Sequence, residues 1–354
     1  MISIEVKASR CYQVLIDEGL LSRVGKKVRK IHPKAQKVHI VTDFHVYDLY
    51  QESVEKSLSQ AGYEVTFSSF RPGEGAKGGY QYLTLLDDLA AEQITRSDMI
   101  LALGGGVMGD LAGFAAATYL RGIPFIQVPT TLLAMVDSSV GGKTAINLTG
   151  GKNLAGAFYQ PHLTLCDTAV LESLPETVYK DGFAEVIKCG MLGSRKLLDT
   201  LAGPDGFNIA QIIAQCVTMK RDIIAQDEYD QGQRMLLNLG HTIGHAIEQL
   251  SEYEISHGAA VAIGMAIDTR AAAALGYCPP ECLQILEHLL TRYELPNQTE
   301  FSPNAIFEAA LGDKKRFANS ITIAVPREPG KSALATIPTL ALEEWIERGY
   351  APCG

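Results

Sequence analysis

The stretch that most restricts the fold is Met99-Ile100-Leu101-Ala102-Leu103, which runs into Gly104-Gly105-Gly106-Val107-Met108-Gly109-Asp110 and then an apolar helical pattern. An unbroken apolar run of this length reads as a strand buried on both faces, the habit of parallel sheets. Gly104, Gly106 and Gly109 satisfy G-x-G-x-x-G. Glycine lets the backbone turn sharply and approach a pyrophosphate at a helix N-terminus. The same glycines equally suit a plain turn; a strand before and a helix after favour a dinucleotide site.

The surrounding sequence agrees with a parallel sheet. Val38–Val41 is a short strand ending in Thr42-Asp43, and Val65-Thr66-Phe67 leads to the loop Arg71–Lys77. A helix is predicted from Tyr80 to Glu92, and Phe125–Val128 is a strand stopped by Pro129. Strands alternating with helices predict an α/β, Rossmann-like domain. Its parts are rearranged, however. The glycine turn is not on the first strand, and the next strand runs into Pro129-Thr130-Thr131 with no acid at its end. Asp43 ends an earlier strand and is the candidate to hold a ribose.

Near Leu174-Pro175-Glu176 the texture changes to consecutive helices: Val178–Met191, Asn208–Ala225, Gln233–Leu250, His257–Leu275 and Pro280–Tyr293. A hairpin, Ile321–Val325 with Ala333–Ile337, and a helix around Trp345 close the chain. The expected division is an NAD-binding α/β domain over 1–177 and a mainly α-helical metal- and substrate-binding domain over 178–354, with the cleft between them as the default site. A length of 354 residues suits two domains.

A net charge of -9 argues against nucleic-acid or membrane-surface partners. The start Met1–Val6 alternates like a strand and lacks a signal-peptide shape, and no apolar run reaches membrane-spanning length. Cys11, Cys166, Cys189, Cys216, Cys278, Cys282 and Cys353 are scattered, so a cytoplasmic protein with reduced thiols is expected.

In an acidic protein, cations beside glycine-rich or motif-like sequence are informative: Arg121, Lys143, Lys152, Lys188, Lys220, Arg234, Lys314 and Lys315. Any one alone reads as a solvated surface charge. Together they suggest a multiply charged anion such as a phosphorylated sugar acid. Gly141-Gly142-Lys143-Thr144 mimics the end of a P-loop, but the required upstream glycine is missing.

Asn238-Leu239-Gly240-His241-Thr242-Ile243-Gly244-His245-Ala246-Ile247-Glu248, with His257-Gly258 downstream, concentrates three of the eight histidines. In Ala184-Glu185-Val186-Ile187-Lys188 an acid and a base stand three apart in apolar surroundings. That pair reads either as an exposed ion pair or as a carboxylate completing a two-imidazole catalytic zinc pattern. Spacing alone nominates His241 and His245, one turn apart, as the imidazoles.

With these segments assembled, and with Tyr119–Gly122, Val136–Thr144, Gly151-Lys152-Asn153 and Asp313-Lys314-Lys315, the chain resembles the 3-dehydroquinate synthases over nearly its full length. The resemblance implies NAD, a divalent metal (usually zinc, with cobalt as an alternative) and a homodimer. It replaces the spacing-based ligands with Glu185, His241 and His257, and gives His245 to substrate and proton transfer. It implies NAD contacts at Asp43, Glu74, Lys77, Gly105, Gly106, Val107, Asp110, Thr130, Thr131, Lys152 and Asn153, to which the glycine pattern adds Gly109. It implies substrate contacts at Arg121, Asp137, Lys143, Lys188, Lys220, Arg234, Asn238 and one of Lys314 and Lys315; Lys143 stands with the cofactor residues as well. The only departures noted are Ala145, where glycine is common, and Leu311-Gly312, where a bulkier residue is usual.

The implied reaction converts 3-deoxy-D-arabino-heptulosonate 7-phosphate to 3-dehydroquinate and phosphate, in the shikimate route to aromatic amino acids. It proceeds by transient oxidation by NAD, β-elimination of phosphate, re-reduction and an intramolecular aldol step. The rival enzymes are another sugar-phosphate cyclase, such as 2-deoxy-scyllo-inosose synthase, and a metal-dependent polyol dehydrogenase. Asn238 and Lys143-Thr144 favour the first reading. A non-catalytic scaffold is a third class, which the presence of every motif makes unexpected.

Overall fold

The protein is described by a computed structural model over residues 1–312 and 319–351. It divides into two compact units, Met1–Leu174 with Ile209–Glu228, and Pro175–Asn208 with Tyr229–Gly354. The chain thus crosses between units near 174, 208 and 228, whereas a change of texture at 177/178 marks one crossing. The reason is local. Helix Ile209–Ile224 buries Ile212, Ile213, Cys216 and Val217, and its Lys220 Nζ donates to the backbone oxygen (2.7 Å) and Oδ1 (2.9 Å) of Asp137 in the first unit.

The strands of the first unit are β1 (Ile2–Val6), β2 (Tyr12–Asp17), β3 (Lys37–Asp43), β4 (Glu64–Phe70), β5 (Met99–Gly104), β6 (Phe125–Pro129), the hairpin pair β7 (Lys143–Leu148) and β8 (Gly151–Phe158), and β9 (Leu163–Asp167). Seven of them form one sheet in the order β1-β2-β9-β6-β5-β3-β4. Every neighbouring pair is parallel except β1 with β2. Every residue of β5, β6 and β9 is buried, including Gln127, Thr164 and Asp167, the habit of strands covered on both faces.

After β3 the chain steps outward to β4, then returns to lay β5 on the other side of β3. At such a reversal the connections leaving the two strand ends diverge to opposite faces, and a crevice opens at their carboxyl ends. The sequence puts Asp43 at the end of β3 and Gly104 at the end of β5, and the register pairs Thr42 with Leu103. Helices Phe44–Gln60 and Gly106–Thr118 start there.

The second unit holds helices Glu176–Gly193, Arg195–Ala202, His241–Leu250, His257–Ala274, Pro280–Arg292, Pro303–Leu311 and Ala341–Gly349. Its hairpin β10 (Ser320–Glu328) and β11 (Lys331–Pro338) pairs Ile321 with Ile337 and Val325 with Ala333, joining the two segments expected. The continuous helix expected over Gln233–Leu250 is broken: Gln233–Asn238 is a 3-10 turn, Gly240 is left-handed (φ 77°), and the α-helix begins at His241. No helix of the described residues is long and apolar enough to cross a membrane.

Three imidazoles of the first unit make its folding acid-sensitive. His39 is wholly buried between Thr66 Oγ1 (2.7 Å) and Ser68 Oγ (2.9 Å), and burial depresses its pKa to about 4. Burial likewise takes His162 to about 3 and lowers its ring neighbour His32. The unfolded chain protonates these groups below about 6.5 while the folded chain resists, so stability falls as pH drops through that window. For His39 the loss by pH 4 is on the order of 3 kcal/mol. Denaturant titrations at pH 7, 5.5 and 4 should show this loss, and His39→Gln should flatten it; identical slopes for both proteins would refute it.

Candidate functional site

In the second unit, helix Glu176–Gly193 is buried from Gly182 to Leu192, so the Glu185–Lys188 pair lies inside and not on a solvated face. Their ion pair is wholly buried, each side chain 1% exposed. A buried carboxylate must be matched by cations or strong donors. Besides Lys188, Glu185 Oε1 stands 3.5 Å from His241 Nε2 and 3.6 Å from His257 Nε2.

Packing brings these imidazoles together. Helix His241–Leu250 lies so close to His257–Ala274 that a Cβ on Gly264 would sit 2.0 Å from the Gly240 oxygen, and one on Gly240 would sit 2.6 Å from Met265 Cγ. Gly240 Cα must be bare for that approach and for its left-handed φ. Its N–H donates to Asp268 Oδ2 (3.1 Å), and Trp345 Nε1–H donates to Oδ1 (2.8 Å). At the other helix start, Asp181 accepts from Gly258 N (3.2 Å) and Ala259 N (2.9 Å).

One ligand atom each from Glu185, His241 and His257 lie within 4.8 Å of one another. Ligands about 2.1 Å from a tetrahedral ion stand roughly 3.4 Å apart, so separations of 3.5 and 3.6 Å fit a divalent metal held by one carboxylate and two imidazoles. Burial, reinforced by Lys188, drives the His241 pKa well below 6.5, leaving it a neutral ligand. Burial also opposes charge on His257, but Glu185 and Glu248 hold its pKa up to about 10.

His245 is not among these three. It is 58% exposed, its ring 5.3 Å from that of His241, and groups instead with Glu248 and His257. Asn238, His241, Thr242 and His245 line a cavity of about 300 Å³. Arg234 is buried in the 3-10 turn just upstream. Lys314 and Lys315 lie outside the described residues.

In the first unit Asp43 Oδ1 accepts from His45 N and Val46 N, both 3.0 Å, and its Oδ2 would be 3.6 Å from a Cβ on Gly104. Gly105 caps helix Gly106–Thr118, whose first turn carries Val107 and Gly109, with Asp110 just beyond it. A Cβ would meet Thr131 Cγ2 at 3.2 Å from Gly105, Ser138 Oγ at 2.9 Å from Gly106 and Gln127 Oε1 at 2.8 Å from Gly109. Thr130 N donates to Gly104 O (3.0 Å), tying the two strand ends together. Lys77, buried, pairs with Asp110, whose pKa is raised by burial against the pull of that lysine. Asn147 links Glu74 (2.8 Å) to the N–H of Asn153 (3.0 Å), which turns at φ 57°.

Three cations of this unit are spread out. Lys143 and Lys152 lie at opposite ends of the β7–β8 hairpin, roughly 13 Å apart along a strand. Arg121 is exposed in a left-handed turn beyond the far end of helix Gly106–Thr118, roughly 20 Å along the axis from Gly106, so its unit does not bring it to the glycine turn.

Two family models match the chain, 3-dehydroquinate synthase N-terminal over residues 68–181 and 3-dehydroquinate synthase C-terminal over 182–316. The chain belongs to the 3-dehydroquinate synthase family. The 3-dehydroquinate synthase of Clostridium beijerinckii is 40% identical over 332 residues, 92% of this chain and 95% of that one. That of Streptococcus thermophilus is 40% identical over 345 residues, 95% and 97%. Among solved structures, 2-deoxy-scyllo-inosose synthase complexed with carbaglucose-6-phosphate, NAD+ and Co2+ superposes with a TM-score of 0.87 at 27% identity, covering 98% of this chain and 99% of that one.

Sequence reasoning missed Asn147 and Glu248. Glu248 closes the Asn238–Glu248 segment, three residues after His245 and seven after His241, a spacing that shares their helix face. That was its only signal. Asn147 had none, because it joins Asn153 across a hairpin that was not foreseen and Glu74 from an element distant in sequence.

Proposed function

We propose that the chain converts 3-deoxy-D-arabino-heptulosonate 7-phosphate to 3-dehydroquinate and phosphate, with NAD turned over within each cycle. The observation that carries the reading is the Glu185–His241–His257 trio at ligand spacing, in a chain 40% identical to curated 3-dehydroquinate synthases. When bound, NAD supplies a reversible hydride acceptor and the divalent ion a Lewis acid for the reacting hydroxyl.

The protein's own groups do the rest. Asp43 takes the ribose hydroxyls, and the N–H groups at Gly105 and Gly106 take the pyrophosphate at the helix start. Lys77, Glu74, Asp110, Thr130, Thr131, Lys152 and Asn153 frame the cofactor. Arg234, Asn238 and His245, with Lys152 and Asn153, hold the phosphate that leaves, while Lys143, Lys188 and Lys220 serve the carboxylate and hydroxyls, with Asp137 beside Lys220; Arg121, at the far end of its helix, is given no part in this set. His245, exposed to the cavity, passes the proton. A homodimer in the cytoplasm follows from the family resemblance, and light scattering tests the dimer.

The inosose synthase structure superposes closely, which keeps a different cyclase product as the second reading. Identity of 27% there against 40% for the curated synthases favours dehydroquinate. Incubation with the heptulosonate phosphate and catalytic NAD should release phosphate with no net absorbance change at about 340 nm, the nicotinamide band. Chelation should stop it. No release with metal and NAD present, or stoichiometric NADH, defeats the proposal.

Gly106→Val tests the cofactor turn. A Cβ there stands only 2.9 Å from Ser138 Oγ, so the valine must displace that hydroxyl and crowds the N–H groups of the turn; the NAD Kd should rise at least about tenfold, roughly 1.4 kcal/mol, at unchanged metal content. Calorimetric titration with NAD reads this, and an unchanged Kd rejects the assignment.

A further inference from the structure

We infer that Glu248 is a positioning residue: its buried carboxylate accepts the Nδ1–H of His257, so that this imidazole turns its Nε2 lone pair toward Glu185 and His241. The inference rests on the metal reading above. Four observations carry it. Glu248 is 4% exposed although charged, and its Oε2 stands 3.4 Å from His257 Nδ1. The opposite ring nitrogen, Nε2, faces Glu185 Oε1 at 3.6 Å. The other imidazole of the trio is arranged alike, its Nδ1 3.1 Å from the backbone oxygen of Leu239 while its Nε2 faces Glu185. The same Glu248 oxygen lies 4.0 Å from His245 Nε2.

An imidazole binds a cation through one nitrogen only if the other keeps the proton, and an acceptor beyond that second nitrogen selects the tautomer and fixes the ring. For His241 a rigid carbonyl does this. His257, which like His241 opens its helix, has the Glu248 carboxylate at its Nδ1 instead. A carboxylate from the neighbouring helix supplies the acceptor. Glu248 reaches it because two full turns separate it from His241 on one face. Its carboxylate therefore also sets the field felt by the proton-carrying His245.

The test uses the full-length protein, stripped of metal and titrated with Zn2+ against a chromophoric chelator. Glu248→Ala should weaken Zn2+ binding about 10- to 100-fold, with the metal-free melting curve close to that of the parent. Glu248→Gln, whose amide oxygen still accepts the Nδ1–H, should recover part of that affinity. Loading with Co2+ adds a spectroscopic readout, in which the visible bands should shift in Glu248→Ala and less in Glu248→Gln. If the alanine variant does not fold, the glutamine variant's weaker binding and shifted Co2+ bands carry the test. A parent that binds Zn2+ stoichiometrically beside variants of equal affinity and spectrum overturns this inference alone. A parent that binds no Zn2+ overturns the metal reading as well.

Discussion

Glu185→Ala should cost the protein its divalent ion and much of its folding stability in one step. The carboxylate is the shared partner of His241, His257 and Lys188. Removing it takes away one of the three proposed ligands and the carboxylate partner of a lysine that is 1% exposed. Breaking a buried pair by deleting one partner costs about 3–5 kcal/mol, because the remaining charge is left desolvated. For a unit of this size that corresponds to a melting shift on the order of 10 °C. Elemental analysis should find metal falling from one equivalent toward zero. Glu185→Gln, which keeps the shape and one carbonyl oxygen, should lose the ion with a smaller melting shift. Full metal content and an unshifted melting curve in Glu185→Ala would show that this carboxylate holds neither the ion nor the lysine.

His241→Ala and His245→Ala should separate binding from proton transfer. His241 is 12% exposed with its Nε2 facing Glu185, so its loss should empty the metal site. His245 is 58% exposed and groups with Glu248, outside that trio. His245→Ala should keep one equivalent of metal while turnover falls about 10²- to 10⁴-fold, the usual range for a lost general acid–base group. Metal content and steady-state rates on the same preparations decide it. Equal loss of metal from both would restore the simpler reading in which the i, i+4 pair forms the site.

Most of the parallel sheet was legible because its strands are apolar enough to be buried on both faces. Val38–Asp43, Met99–Gly104 and Phe125–Pro129 all emerge as strands, and the late hairpin forms from the two segments expected. The helices Gly79–Ala91, His257–Ala274 and Pro280–Arg292 end within a residue or so of their periodic patterns. Three features were not legible. The break at Gly240 is set by a neighbouring helix that touches its Cα, which no local propensity records. Helix Ile209–Ile224 joins the first unit through Lys220 and Asp137, 83 residues apart. The hairpin β7–β8, which separates Lys143 from Lys152, was hidden because its residues read as motif rather than as alternation.

By itself the sequence determined the inventory: a glycine turn after a buried strand, an acid ending an earlier strand, a histidine-rich helix start, and an acid–base pair in an apolar helix. Those follow from backbone freedom and periodicity, which act over a few residues. It could not choose the second imidazole, since helical spacing favours His245 over a histidine sixteen residues from His241. The tertiary structure presses two glycine-lined helices together, so that His257 faces Glu185 while His245 faces the cavity. It also turned an apparent surface ion pair into a buried one and set Glu248 behind His257. Ligand geometry depends on which helix faces meet, and that is a property of packing, to which no single segment's pattern answers.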